Sequence, residues 1–415
     1  MDSGRDFGAL RLRRVLGKLT RLSAEPEPLP RARSAAIPGE LAALLTAVLA
    51  FGLAHSAFFL LPKYLELELH ADPAQIGAYF SATWFTTVAL VPIVGVWVDR
   101  HGRLPLAFAG AAALAATCAG FLAVDRLGGL LLALRIAHGA AFTAFFVATS
   151  TLAADLAPPE RLGQVLGYYG SGFVLSNSIA PALAEWAAAR FGWAWVFAGA
   201  GVLAALSLAL LLFAREARHE PLDGRSVPGI RAALARPGFR RVLAVASLAG
   251  VTFAAMFTFN QPFALSLGIS RVSDFLVAYS VAAVVMRGPF GALADRAGRV
   301  RVTRVSLAVY AAAALAMTRL DSLGLVLTGA LFGVAHGLFY PVMSAAAIEG
   351  APADVRGKLT AFFNGAFNAG FSLGSFGLGY AAEHFGFPPV FALACVCSLA
   401  ALCLLPRRAP EEEPG

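Results

Sequence analysis

The sequence predicts an all-α membrane protein whose twelve transmembrane helices form two six-helix pseudo-repeats. Three observations predict it. First, the 415 residues are 58% hydrophobic and only 14% charged, with a mean hydropathy of +0.71. A soluble domain carries about 25% charged residues, so this chain cannot wrap itself in a water-facing shell. Second, apolar stretches long enough to cross a bilayer, about 20 residues each, recur along the whole chain. Third, a charged knot of the form G-x-x-x-D-R-x-G-R occurs twice, as "GVWVDRHGR" at 95–103 and "GALADRAGR" at 291–299.

Residues 1–35 come first and hold no apolar core, so no signal peptide is expected. Within them Leu12, Val15, Leu16, Leu19 and Leu22 fall at helical spacing, with Arg11, Arg14, Lys18 and Arg21 between. Two readings stand: a basic amphipathic helix on an anionic leaflet, or a disordered tail. Pro26, Pro28 and Pro30 break any helix before the membrane begins.

The twelve predicted spans are 40–62, 74–97, 104–124, 128–154, 162–186, 193–214, 241–265, 272–294, 302–318, 322–348, 358–382 and 387–406. Lys and Arg set their orientation. With a cytoplasmic N-terminus, 26 of the 33 basic residues fall in inner segments and five in outer loops. This is a strong positive-inside bias. It places both termini in the cytoplasm of a multi-pass inner (plasma) membrane protein. It also explains the net charge of +8 without any nucleic-acid partner. Cys118, Cys395, Cys397 and Cys403 lie in apolar stretches without metal spacing, so neither a disulfide nor a metal site is expected. No cofactor is expected either.

The knots are one of several echoes. "APPERLGQ" at 157–164 matches "APADVRGK" at 351–358, "RFGWAWVF" at 190–197 matches "HFGFPPVF" at 384–391, and "AHG" occurs at 137–139 and 335–337. The expected organisation is therefore a tail (1–35), a six-helix bundle (36–214), a linker (215–238), a second bundle (239–406) and a short tail (407–415).

Twelve helices as six plus six, with the knot after the second and eighth spans, resemble the major facilitator superfamily across about residues 36–406. The fourth span carries Arg135-Ile-Ala-His138-Gly139, similar to the R-x-x-Q-G pattern of proton-antiporting members, with His in place of Gln. The fifth carries Gly167, Ser176, Ala180-Pro181 and Ala184-Glu185. This spacing is similar to the G…G-x-x-x-G-P-x-x-G-G antiporter motif, with most glycines replaced and Glu last.

The resemblance implies a role for the knots. Gly95 and Gly291 would let helices approach, and Gly102 and Gly298 would allow the turn. Asp99, beside Arg100 and Arg103, would bridge to Arg356 or Lys358 of the other half when the inner gate closes. Asp295, beside Arg296 and Arg299, would bridge to Arg161. Asp155 and Glu349 would complete charge relays with Arg103 and Arg299, making bistable latches. The plainer alternative is that these charges only fix topology.

Polar groups inside a bilayer are functional hypotheses by default. The interior offers His55, His138 and His336 on spans 1, 4 and 10, which line the central cavity in the resembled family. Histidine exchanges a proton near neutral pH, and each could alternatively just bond a neighbouring helix. Arg135, one turn from His138, would favour its neutral form and could bind an anionic group, or could snorkel outward. Asn260 and Gln261 on span 7, Tyr340 on span 10, and Asn364 and Asn368 on span 11 suit substrate hydrogen bonds.

These features predict a secondary active transporter, not an enzyme, that works by alternating access and is most simply a monomer. Its partners would be a small organic compound, protons and the lipid bilayer. The motifs in spans 4 and 5 point to proton-coupled efflux, with a proton-coupled importer as the alternative. A non-transporting receptor on the same fold would show decayed knots. No nucleotide-binding or zinc-peptidase motif is present.

Overall fold

The computed structural model describes residues 39–158, 161–216, 238–287, 297–351 and 353–405. A helix stands at each of the twelve predicted positions. Span 1 is split into α1 (Gly39–Ala57), a 3-10 turn (Phe58–Leu60) and α2 (Leu61–Leu67). Then follow α3 (Pro73–His101), α4 (Arg103–Phe121), α5 (Gly129–Leu156), α6 (Leu162–Phe191) and α7 (Trp193–Leu211). Span 7 is split into α8 (Phe239–Thr258) and α9 (Asn260–Ser266). The rest are α10 (Ser273–Arg287), α11 (Arg299–Met317), α12 (Ser322–Ile348), α13 (Ala353–Phe385) and α14 (Phe387–Leu404). Among the described residues nine helical stretches are long and apolar enough to cross a membrane. The 30-residue α6 and the 33-residue α13 are not among the nine, and α10 is a shorter apolar helix.

Some expectations lie outside the described residues: the basic N-terminal helix, most of the linker, the last tail, and Gly291, Asp295 and Arg296. The same holds for the side chain of Asp99. One boundary is corrected. Span 1 does not stop at residue 62 but runs to Leu67, because Pro62 sits in the first turn of α2, where a missing N–H costs nothing. Lys63 and Glu66 are thus helical residues and not loop residues.

The repeat is visible in the backbone. Three helix pairs are joined at a single positive-φ glycine, Gly102 (φ 88°), Gly192 (φ 89°) and Gly386 (φ 79°), and Gly298 (φ 84°) directly precedes α11. Only glycine adopts this conformation without strain, and the four occupy matching places in the two repeats.

Packing runs across the repeats as well as within them. Helix α3 lies against α13, and α6 against α10. Near the start of α3 the contact is tight: a Cβ on Gly77 would collide with the Ser375 carbonyl, and one on Gly379 with that of Pro73. Near the knot it is loose, since a Cβ at Gly95, Gly357 or Gly365 would meet nothing within 4 Å. Large exposed side chains such as Trp195, Val202, Leu212 and Leu323 form the apolar outer face that lipid would cover.

Candidate functional site

Two of the three interior histidines meet. His55 near the end of α1 and His138 in the middle of α5 bring Nδ1 and Nε2 within 2.8 Å. They are 5% and 1% exposed, so the contact is sealed from solvent. Arg135, one turn back on α5, is 2% exposed and does not snorkel. Its Nη1 lies 3.3 Å from His138 Nδ1 and its Nε donates to the Tyr79 carbonyl at 3.1 Å. In return the Thr83 hydroxyl donates to the Arg135 carbonyl at 2.9 Å. Gly139 makes this meeting possible, since a Cβ there would strike the Thr83 carbonyl of α3.

The three side chains form a directed chain. A guanidinium only donates, so His138 Nδ1 accepts and the imidazole proton sits on Nε2. That proton is donated to His55 Nδ1, which leaves the His55 proton on its own Nε2. A cavity of about 10 Å³ adjoins the chain, lined by His55, Phe58, Phe59, Phe80, Thr83, Trp84, Arg135 and His138. That is room for about one water molecule. The site is therefore occluded towards anything larger in this conformation.

The other predicted interior residues are placed elsewhere. His336 does not join the cluster; its Nδ1 meets the hydroxyl of Tyr310, a fully buried residue of α11. Tyr340 donates to Asn364 Oδ1 at 2.8 Å, and the Asn368 carbonyl accepts from Ser372. Asn260 donates back to the Met256 and Phe257 carbonyls at the break in span 7, and its buried Oδ1 has no partner.

Gln261 belongs to a second assembly at the end of the bundle opposite the knots. Its Nε2 donates to the Phe59 carbonyl at 2.6 Å and its Oε1 accepts from Lys63 N at 3.3 Å. The helix breaks in spans 1 and 7 thus satisfy each other. Lys63 Nζ lies 2.6 Å from both Glu185 Oε1 and the Ser270 carbonyl. The two Glu185 oxygens accept the Val272 and Ser273 amides at 3.0 Å each, at the N-terminus of α10. These bonds tie residues before 216 to residues after 238. The sequence offers one signal for this seal: opposite charges, Lys63 and Glu185, at the same end of two spans. By charge placement and motif alone, the first reads as a loop charge and the second as a departure from the antiporter pattern.

At the knot end Arg103 Nε forms an ion pair with Asp155 Oδ2 at 2.8 Å, and Arg299 Nη1 lies 2.9 Å from Glu349. Arg356 Nε donates to its own loop at the Ala351 carbonyl. Arg100 and Lys358 are exposed, and Arg161 is half-buried. Glu216 is an addition: it accepts the Arg103 and Leu104 amides at 2.6 and 3.0 Å, capping α4. A second residue not foreseen is Asn177, which accepts from Ser56 beside the histidines at 2.7 Å.

A bundle of membrane-spanning helices, with charge pairs at both ends and a buried polar chain between them, defines a multi-pass membrane transporter. The Major Facilitator Superfamily profile matches residues 42–277 and 263–415, so the chain belongs to that superfamily. Multi-drug resistance efflux pump PmrA of Streptococcus pneumoniae is 24% identical over 362 residues, 83% of this chain and 89% of its own length. An uncharacterized MFS-type transporter of Methanocaldococcus jannaschii is 23% identical over 347 residues, 80% of this chain and 88% of its own. Two solved structures share the fold. The nucleoside transporter NupG superposes with a TM-score of 0.72 at 16% identity, covering 88% of this chain and 98% of its own. The human organic anion transporter MFSD10 gives 0.67 at 17%, covering 89% and 99%.

Proposed function

We propose that the protein exports a small organic compound in exchange for protons, by alternating access of its two six-helix halves, 36–214 and 239–406. The observation that carries this reading is the buried Arg135–His138–His55 chain. No carboxylate lines that site, and histidine is the side chain there able to take and give a proton near neutral pH. Similarity to the PmrA pump supports the outward direction. In this reading the end carrying Lys63 and Glu185 faces outward and is shut, and the knot end, with both termini, faces the cytoplasm of the plasma membrane. The protein works as a monomer.

The Arg103–Asp155 and Arg299–Glu349 pairs then belong to the inner gate, poised to be completed by Asp99 and Asp295 when the halves close. The test is proton flux in sealed inverted vesicles that hold an acidic interior, followed with a pH-sensitive dye. Adding a transported compound should release protons from wild type and not from His138→Gln. Release from the same inverted vesicles that instead requires the compound inside them, with compound and protons leaving together, would make the protein an importer. Compound movement indifferent to the pH gradient would remove the protons from the mechanism.

A further inference from the structure

The cavity beside the histidines carries a charge with no counter-charge. Arg135 is 2% exposed, and among the described residues no carboxylate pairs with it. Its bonds are one backbone carbonyl and one imidazole, with the Phe80 ring 5.8 Å from Cζ. These engage Nε and Nη1 and leave the Nη2 end of the fork without a bond. Arg135 lines the cavity beside it. A buried guanidinium without an anion is costly, and here it borders a cavity with a donor to spare.

The rest of the wall says what the anion would be attached to. Phe58, Phe59, Phe80 and Trp84 supply flat apolar faces, and Thr83 adds a hydroxyl beside the two imidazoles. Two rings from the other half lie over this wall: Phe371 sits 5.0 Å from Trp84 and 6.1 Å from Phe80, and Phe257 sits 5.8 Å from Phe59. Rocking of the halves would lift these rings and uncover the guanidinium.

We propose that this site binds an organic monoanion, a carboxylate on a flat aromatic body, with Arg135 as its counter-ion. The inference rests on the transporter reading above and narrows its cargo. A carboxylate takes two parallel N–H bonds from a guanidinium, and the body stacks on Trp84 and the phenylalanines. A guanidinium buried without a counter-charge is costly, and a carboxylate cargo would supply that counter-charge.

The experiment uses purified full-length protein in detergent, with no gradient, so it reads binding and not transport. The probes are 4-bromobenzoate, 4-bromobenzamide and 4-bromobenzylamine, whose bromine quenches tryptophan emission. The carboxylate should give saturable quenching that Trp84→Phe removes. The amide and amine should bind at least ~10-fold more weakly, the factor expected for one lost charged hydrogen bond. Arg135→Gln should erase the preference for the carboxylate, and Arg135→Lys should retain part of it. Without any probe, Arg135→Gln should melt at or above the wild-type temperature, because it removes an unpaired buried charge; a purely structural arginine would melt lower. The proposal is overturned if the amine or amide binds as well as the carboxylate, if no carboxylate binding is seen, or if quenching survives Trp84→Phe. It is equally overturned if Arg135→Gln keeps the wild-type preference. Loss of pH-driven transport with this preference intact would instead count against the proton-exchange reading.

Discussion

The two repeats place the same scaffold around different chemistry. His138 and His336 occupy equivalent places in "AHG", on α5 and α12. Gly139 and Gly337, next to them, each press on a carbonyl of the neighbouring helix, Thr83 and Ala283. The Tyr79 carbonyl has its counterpart in Tyr279. In the first repeat Arg135 donates to Tyr79, whereas in the second the equivalent residue is Gly333, packed so closely that a Cβ would strike the Tyr279 carbonyl. The partner of His138 is His55, with ring centroids 4.9 Å apart; the ring beside His336 at a similar distance, 4.8 Å, is Phe253. The backbone contacts and one histidine are present in both copies, whereas the arginine and the second histidine are present in the first copy only. A buried charge costs too much to hold twice without two uses, so in the proposed mechanism the first repeat is the chemical half and the second its aromatic wall.

The largest expected effect tests this division directly. His138→Gln should lower pH-gradient-driven transport at least ~10-fold, a loss of about 1.4 kcal/mol or more in coupling. His336→Gln, which keeps a hydrogen-bonding group for Tyr310, should change it less than ~3-fold. Equal losses would mean that both repeats carry protons and that the comparison is wrong. The next largest effect concerns the far-end seal. Glu185→Gln keeps the volume but removes the charge that holds Lys63 and the α10 amides. Hydrogen bonds to charged groups are each worth about 1.5–3 kcal/mol, enough to shift the balance between shut and open. Spin labels at the exposed positions Leu67 and Leu267 should report a longer, broader distance distribution in the variant. An unchanged distribution would show that Phe59, Gln261 and the helix packing alone shut this end.

How much of this the sequence holds depends on the kind of interaction. Helix positions are legible because apolar run length is a local property, and the turns at Gly102 and Gly298 because a positive φ demands glycine. The polar residues of span 4 are legible because charge in an apolar run is conspicuous. Their partners are not: that His55 meets His138 while His336 meets Tyr310 depends on helix rotation and crossing, which no periodicity specifies. Gln261 illustrates the limit. Its amide looks free for a substrate in the sequence, yet both of its ends are taken by backbone groups exposed where span 1 breaks, and Pro62 alone does not announce that break. Lys63 reads as a loop residue for the same reason.

The smallest effects test whether the scaffold is as equal as the chemistry is unequal. Gly139→Ala and Gly337→Ala each push a methyl group into a carbonyl of the adjacent helix, Thr83 or Ala283. Overpacking of this kind costs about 1–3 kcal/mol, and the two variants should lower the melting temperature by similar amounts. Their effects on transport should differ. Gly139→Ala forces α3 away from α5, which lengthens the bond from Arg135 to the Tyr79 carbonyl and moves the guanidinium relative to His138. Gly337→Ala has no such chain to disturb, because Gly333 stands where the arginine would be. Equal melting shifts with a transport defect confined to Gly139→Ala would separate shared scaffold from unshared chemistry. Equal defects in both would mean that the helix contacts, and not the residues they position, limit the rate.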